Sequence, residues 1–254
     1  MKKSLHILDF SGVYQEQTFL KNMAQQAPNT WLDCTDIQGT DCYCDSEAQE
    51  EISQRLNFIP IDSIHFIDSG NYHYLSKFFC DKIHQPFILV VFDNHPDTQS
   101  PQFDGILSCG GWVKEVMEKN PLMSQALLIG ISDKLTNQVP DEILEKVLII
   151  PQSKNEEPIP WEKMKENLPV YISIDKDVLS SEEAVTNWDQ GTLSLKHLKQ
   201  HIQKLLTTRT ILGIDICGER AKDTHFTQAE KADLINNQLN KNLVEFIFSL
   251  TPKV

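Results

Sequence analysis

Apolar and polar positions along this chain alternate between two periods. Short solid apolar runs rich in β-branched residues recur, separated by stretches with helical spacing. The runs predict strands over Leu5–Phe10, Thr30–Cys34, Ile64–Asp68, Ile88–Phe92, Gln125–Ile131, Val147–Ile150, Val170–Ile174 and Ile211–Ile216. Helices are predicted over Tyr14–Gln26, Ser46–Leu56, His73–Ile83, Trp112–Lys119, Asp141–Lys146, Trp161–Asn167, Leu195–Leu206 and Gln228–Leu250. The clearest stripe is Leu195, Leu198, Ile202 and Leu205, one face of a 3.6-residue period. A run as uniformly apolar as Phe87–Phe92 belongs to a strand buried on both faces. Eight strands alternating with helices specify one doubly wound parallel sheet covered on both sides, an α/β fold read as a single domain over residues 1–254.

Three of these strands end in metal-competent side chains. After Phe92 come Asp93, His95 and Asp97, at alternate positions that project to one side. After Ile174 come Asp175 and Asp177. After Ile64–Asp68 the chain breaks at Ser69-Gly70-Asn71, and His73 opens the next helix. The carboxyl ends of parallel strands are where α/β proteins bind ligands. Carboxylates crowded there need a cation, because like charges so close raise a pKa or demand a counter-ion. Two His and four Asp form a hard oxygen and imidazole set suited to Mn2+ ahead of Zn2+ or Fe2+.

These motifs resemble the arginase/agmatinase (ureohydrolase) family of binuclear manganese enzymes. Asp93-Asn-His95-Pro-Asp97 is similar to the family's Asp-Ala-His-x-Asp, and Ser173-Ile-Asp175-Lys-Asp177 matches its Ser-x-Asp-x-Asp. Ser69-Gly70-Asn71-Tyr72-His73 looks like a degenerate Gly-Gly-Asp-His-Ser. The resemblance implies a three-layer αβα sandwich with a mostly parallel eight-stranded sheet. It implies two divalent metal ions, one held by His73, Asp93, Asp97 and Asp175 and the other by Asp93, His95, Asp175 and Asp177. The activity implied is hydrolysis of a C–N bond in a guanidino, amidino or formimino compound by a metal-bridged hydroxide. Asp177 is then a catalytic residue that handles the proton.

The chain also departs from the family pattern. The family's proton-shuttle His is missing from Leu107–Trp112, where Cys109 stands nearest, so Cys109 is a second catalytic candidate. The Asn-containing loop that grips an α-amino acid is absent after Asp97, which argues against arginine. A family Glu at the end of the last strand accepts hydrogen bonds from the guanidinium. Counting places Gly218 there, and Glu219 reaches the position only through a one-residue bulge. Glu219 is therefore a catalytic and substrate-binding candidate, with pairing to Arg220 or a helix cap as its rival reading. Asn187, Trp188 and Asp189 follow the Asp175/Asp177 strand and are read either as a substrate pocket floor or as a structural turn. Two rival functions remain open: a zinc deacetylase-like site using Asp93, His95 and Asp175, and a metal-binding protein without turnover.

Composition narrows the partners. A formal net charge of −13 argues against nucleic acid or anionic membrane and favours a small cationic substrate. No apolar run approaches the roughly 20 residues of a spanning helix, and the N-terminus reads as the first strand of a cytoplasmic protein. The six cysteines show no Cys-x-x-Cys spacing, so Cys42 and Cys44 read as reduced loop thiols, with a soft-metal or redox role as the alternative. Only 10 glycines are present and none forms a dinucleotide fingerprint. His197 and His201 share a helix face without a third ligand and read as solvated. A homo-oligomer stays open.

Overall fold

The computed structural model describes residues 1–19, 27–100, 103 and 105–251. Eight parallel strands build the central sheet: β1 (Leu5–Asp9), β2 (Asn29–Asp33), β4 (Ile64–Phe66), β5 (Phe87–Phe92), β7 (Met123–Ile131), β8 (Val147–Pro151), β9 (Val170–Asp175) and β10 (Ile211–Cys217). Their order is β2-β1-β4-β10-β9-β5-β7-β8. Every neighbouring pair in that sheet is parallel. A two-stranded antiparallel sheet, β3 (Tyr43–Cys44) with β6 (Leu107–Ser108), lies apart from it.

Strand alternation explains the layers. Ile88, Val90 and Phe92 face one way and pack in a core with Leu198, Ile202 and Leu205 of the helix Leu195–Thr208. Leu243, Val244 and Ile247 of the helix Phe226–Leu250 complete that side. Phe87, Leu89 and Val91 face the other way. They meet the helices Ser46–Leu56, Leu75–Asp81 and Trp112–Lys119 through Ile52, Phe79 and Val116. The result is the expected three-layer αβα architecture.

Beyond β5 the chain steps outward through β7 to β8, then returns to lay β9 on the other side of β5 and β10 beyond it. The β5/β9 boundary is thus a topological switch point, where a crevice opens outside the strand ends. Both acidic motifs leave the sheet there.

Some expectations needed correction. Trp161–Asn167 is not a helix: a short turn, Trp161–Lys163, gives way at Met164 to extended backbone (ψ 137°). Asn167 then adopts a left-handed φ of 61° before Leu168-Pro169, and neither step continues a helix. Asp141–Lys146 winds as a 3-10 helix. In the span Tyr14–Gln26, Tyr14–Glu16 form turns, and residues 20–26 lie outside the described residues. Among the described residues no helix is long and apolar enough to cross a membrane.

Candidate metal centre

The expected ligands converge at the switch point. β5 delivers Asp93, β9 delivers Asp175, and a 3-10 turn, Gly70–Tyr72, places His73 beside them. His73 Nδ1 lies 3.1 Å from Asp93 Oδ2, 3.0 Å from Asp97 Oδ2 and 3.6 Å from Asp175 Oδ2. His95 Nδ1 lies 2.9 Å from Asp177 Oδ2 and 3.5 Å from Asp93 Oδ1. Two groups of ligand atoms result, His73–Asp93–Asp175 and Asp93–His95–Asp177, each gathered within 4.8 Å. Asp93 belongs to both.

Backbone and neighbouring side chains hold this arrangement. Asp97 sits at a left-handed φ of 50°, and its Oδ2 accepts a 2.7 Å hydrogen bond from the buried indole Nε1 of Trp112. The Trp112 ring also lies against His73, with centroids 4.9 Å apart. His73 Nε2 meets Ser173 Oγ at 2.8 Å, and Ser173 in turn meets Ser76 Oγ at 2.9 Å. Those contacts orient the imidazole so that Nδ1 faces the carboxylates, the usual support for a ligating histidine. Asp175 Oδ1 accepts from the Asp177 amide at 2.9 Å, and Asp177 Oδ1 accepts from the Asn94 amide at 3.0 Å. Gly218, at φ 91°, leaves room for the carboxylate: a Cβ there would stand 2.3 Å from Asp175 Oδ1.

The electrostatics are those of a pocket short of positive charge. Burial, then the charges of Asp177 and Asp93, push Asp175 up to about 8. Burial, then the charge of Asp93, pushes Asp177 up to about 7. Burial also raises Asp97, against the pull of His73. For His95, burial acts downward but is overcome by the hydrogen bonds that Asp177 and Asp93 accept from it, which raise it to about 12. In His73 burial is likewise outweighed by Asp93 and Asp97, and the imidazole titrates well above its ordinary range. Asp93 Oδ2 is buried without a hydrogen bond of acceptable geometry. Four carboxylates face two imidazoles here, so the donor set fits two divalent ions that would offset the remaining negative charge.

These residues line a cavity of about 420 Å³. Its outer walls include Cys42, Tyr43, Gln99, Cys109, Leu135, Gln138, Trp188 and Asp189. Trp188 covers His95 edge-on, with centroids 5.9 Å apart, and packs onto Gly70. Among the described residues, no lysine or arginine lines the cavity.

Three sequence expectations are altered. Glu219 does not reach the cavity. Gly218 passes Asp175 without a side chain, and the next residue turns its carboxylate into the interior. There Lys176, Gln17, Asn236 and Asn240 donate to it. Neither Arg220 nor a helix cap is its partner, since Arg220 pairs with Asp233. Asn187 is structural: its Oδ1 accepts from the Gly70 amide and its Nδ2 donates to Asn71. Cys109 does line the cavity, but Cys42 and burial raise its thiol above the ordinary range, which weighs against a proton shuttle near neutrality. Trp112, unremarked in the sequence beyond a helix start, proves to be a support of the site.

Comparisons with known proteins bear on the family and the fold. A model of the Arginase family matches residues 19–222. An uncharacterized protein of Thermotoga maritima is 32% identical over 233 residues, covering 91% of this chain and 86% of that protein. Among solved structures, proclavaminate amidino hydrolase from Streptomyces clavuligerus superposes with a TM-score of 0.69 at 14% identity, over 98% of this chain and 92% of that one. Trypanosoma cruzi formiminoglutamase with Mn2+ gives 0.67 at 11%, over 99% and 94%.

Proposed function

The chain belongs to the arginase family, and from that premise we propose that it is a binuclear Mn2+ hydrolase of an amidino, guanidino or formimino C–N bond. The observation that carries this reading is Asp93, shared by two ligand groups at the floor of one cavity. His73, Asp93, Asp97 and Asp175 would hold one ion, and Asp93, His95, Asp175 and Asp177 the other. Two such ions supply activated water for attack on an sp² carbon.

The chain's own residues do the rest. Asp177 Oδ2, hydrogen-bonded to His95 and open to the cavity, is placed to take a proton and return it to the departing amine. Trp188 offers an aromatic face and Asp189 lies beside it, a pairing that suits a cationic group. A substrate carboxylate finds no lysine or arginine among the described lining residues, which favours an amine or neutral tail over an amino acid. With Gly218 where a guanidinium-binding Glu was expected, Asp189 is the acidic side chain left outside the ligand set. A mononuclear deacetylase-like site is disfavoured because His73 and Asp97 both turn toward the shared centre.

The test is a screen of Mn2+-loaded protein for urea and ammonia release. Amine-tailed and neutral guanidines, amidines and formimino compounds should turn over, and their carboxylated analogues poorly. Preference for simple acetamides would overturn the assignment.

A further inference from the structure

Of the six cysteines, Cys34, Cys44, Cys80 and Cys217 are buried, whereas Cys42 and Cys109 are half-exposed. Those two share one wall of the cavity. They also face each other. The β3–β6 ladder pairs Tyr43 with Ser108 and Cys44 with Leu107, and one step on, the Cys109 amide donates to the Cys42 carbonyl at 2.9 Å. Cys42 stands one residue outside that ladder at a left-handed φ of 60°, and its thiol and that of Cys109 act directly on each other; a disulfide spans roughly 4.4–6.8 Å at Cα.

We infer that Cys42 and Cys109 form a dithiol modification site at the cavity wall, one that takes a hydroperoxide as oxidant and closes reversibly to a disulfide. Each thiol is the first influence on the other: Cys109 lowers Cys42, and Cys42 raises Cys109. Cys42 is therefore the attacking sulfur, since the thiolate is the nucleophile. Its sulfur bonds to one peroxide oxygen, the O–O bond breaks, and an alcohol or water leaves, giving a sulfenic acid. The Cys109 sulfur then attacks the Cys42 sulfur, the S–O bond breaks and water departs with the thiol proton. Two thiols and one hydroperoxide become one disulfide, one alcohol or water, and one water. Buried Cys34 and Cys44, whose thiols burial raises to about 12, are protected from the same reaction. Closing the bond ties Asp41–Cys44 to Leu107–Gly110 and fixes that wall. The site needs no bound metal and stands apart from the proposed hydrolysis.

The experiment treats the full-length protein with hydrogen peroxide, then counts thiols and maps peptides by mass spectrometry. Loss of two of the six thiols, with one linked peptide pair holding Cys42 and Cys109 and full recovery in dithiothreitol, is the expected result. Cys109→Ser should leave a sulfenic acid at Cys42 that a dimedone-type reagent traps, and Cys42→Ser should leave Cys109 reduced under the same dose. Six intact thiols, separate oxidation of the two cysteines without a bond, or a bond to any other cysteine would overturn the inference. The wild-type peptide map decides the matter even if a variant misfolds.

Discussion

Two buried clusters of charge sit back to back at the ends of β9 and β10, and they are built on opposite terms. On one side Asp175 and Asp177 join Asp93 and Asp97, with their charges answered by two histidines. On the other, Lys176 and Glu219 pair, and the amides of Gln17, Asn236 and Asn240 fill the remaining positions around the carboxylate. Alternation along Asp175-Lys176-Asp177 sends neighbouring residues into different clusters. The carboxylates of both are nearly or wholly excluded from solvent. The Lys176–Glu219 cluster balances its own charge, so it needs nothing from outside and serves the fold. The aspartate cluster is left acidic, and that deficit is what the proposed cations would offset.

Four perturbations sharpen the contrast. Asp93→Asn removes the group shared by both ligand sets. Turnover should fall on the order of 10⁴-fold, about 5 kcal/mol of transition-state stabilisation, while urea unfolding of the metal-free protein stays close to wild type or improves. Lys176→Met should do the reverse. It strands a buried Glu219 and should cost about 3–5 kcal/mol in denaturant unfolding, with Mn2+ stoichiometry unchanged in the folded fraction. The double variant Lys176→Met with Glu219→Gln should recover part of that loss.

Trp112→Phe keeps the ring against His73 and removes only the hydrogen bond to Asp97. Mn2+ affinity should drop roughly 10–100-fold, read by calorimetry, with little change in thermal unfolding. The last perturbation is pH. Asp175 and Asp177 titrate in the folded protein at about 8 and 7, above the ordinary 3.8, and His95 at about 12, above 6.5. In each case the native state holds protons that the unfolded chain has released. Metal-free protein should therefore lose stability as pH rises, from about 4 through 8 for the carboxylates and above 6.5 for His95, with a slope of about 1.4 kcal/mol per pH unit for each extra proton. Bound divalent ions displace those protons, so the slope should flatten in Mn2+-loaded protein.

The sequence showed the aspartate cluster far better than the Lys176–Glu219 cluster. Asp-x-His-x-Asp and Ser-x-Asp-x-Asp were visible because each follows a solid apolar run, and the strand period fixes which side chains share a face. All eight sheet strands were legible for the same reason. Lys176 went unread because its partners Glu219 and Asn240, and the Gln17 and Asn236 that also donate to Glu219, come from distant parts of the chain. Counting placed Gly218 correctly, and only the assumed one-residue bulge brought Glu219 to the cavity; the left-handed turn at Gly218 sends the Glu219 carboxylate into the interior instead. The β3–β6 pair escaped notice since two-residue strands carry no period. With it went the partnership of Cys42 and Cys109.

The central claim is that the aspartate cluster exists to hold two cations. Calorimetric titration of metal-stripped protein with Mn2+, checked by elemental analysis after dialysis, tests it most directly. Two ions per chain for the wild type, and loss of that stoichiometry in Asp93→Asn, is the predicted result. A single ion, or binding that Asp93→Asn leaves untouched, would contradict it.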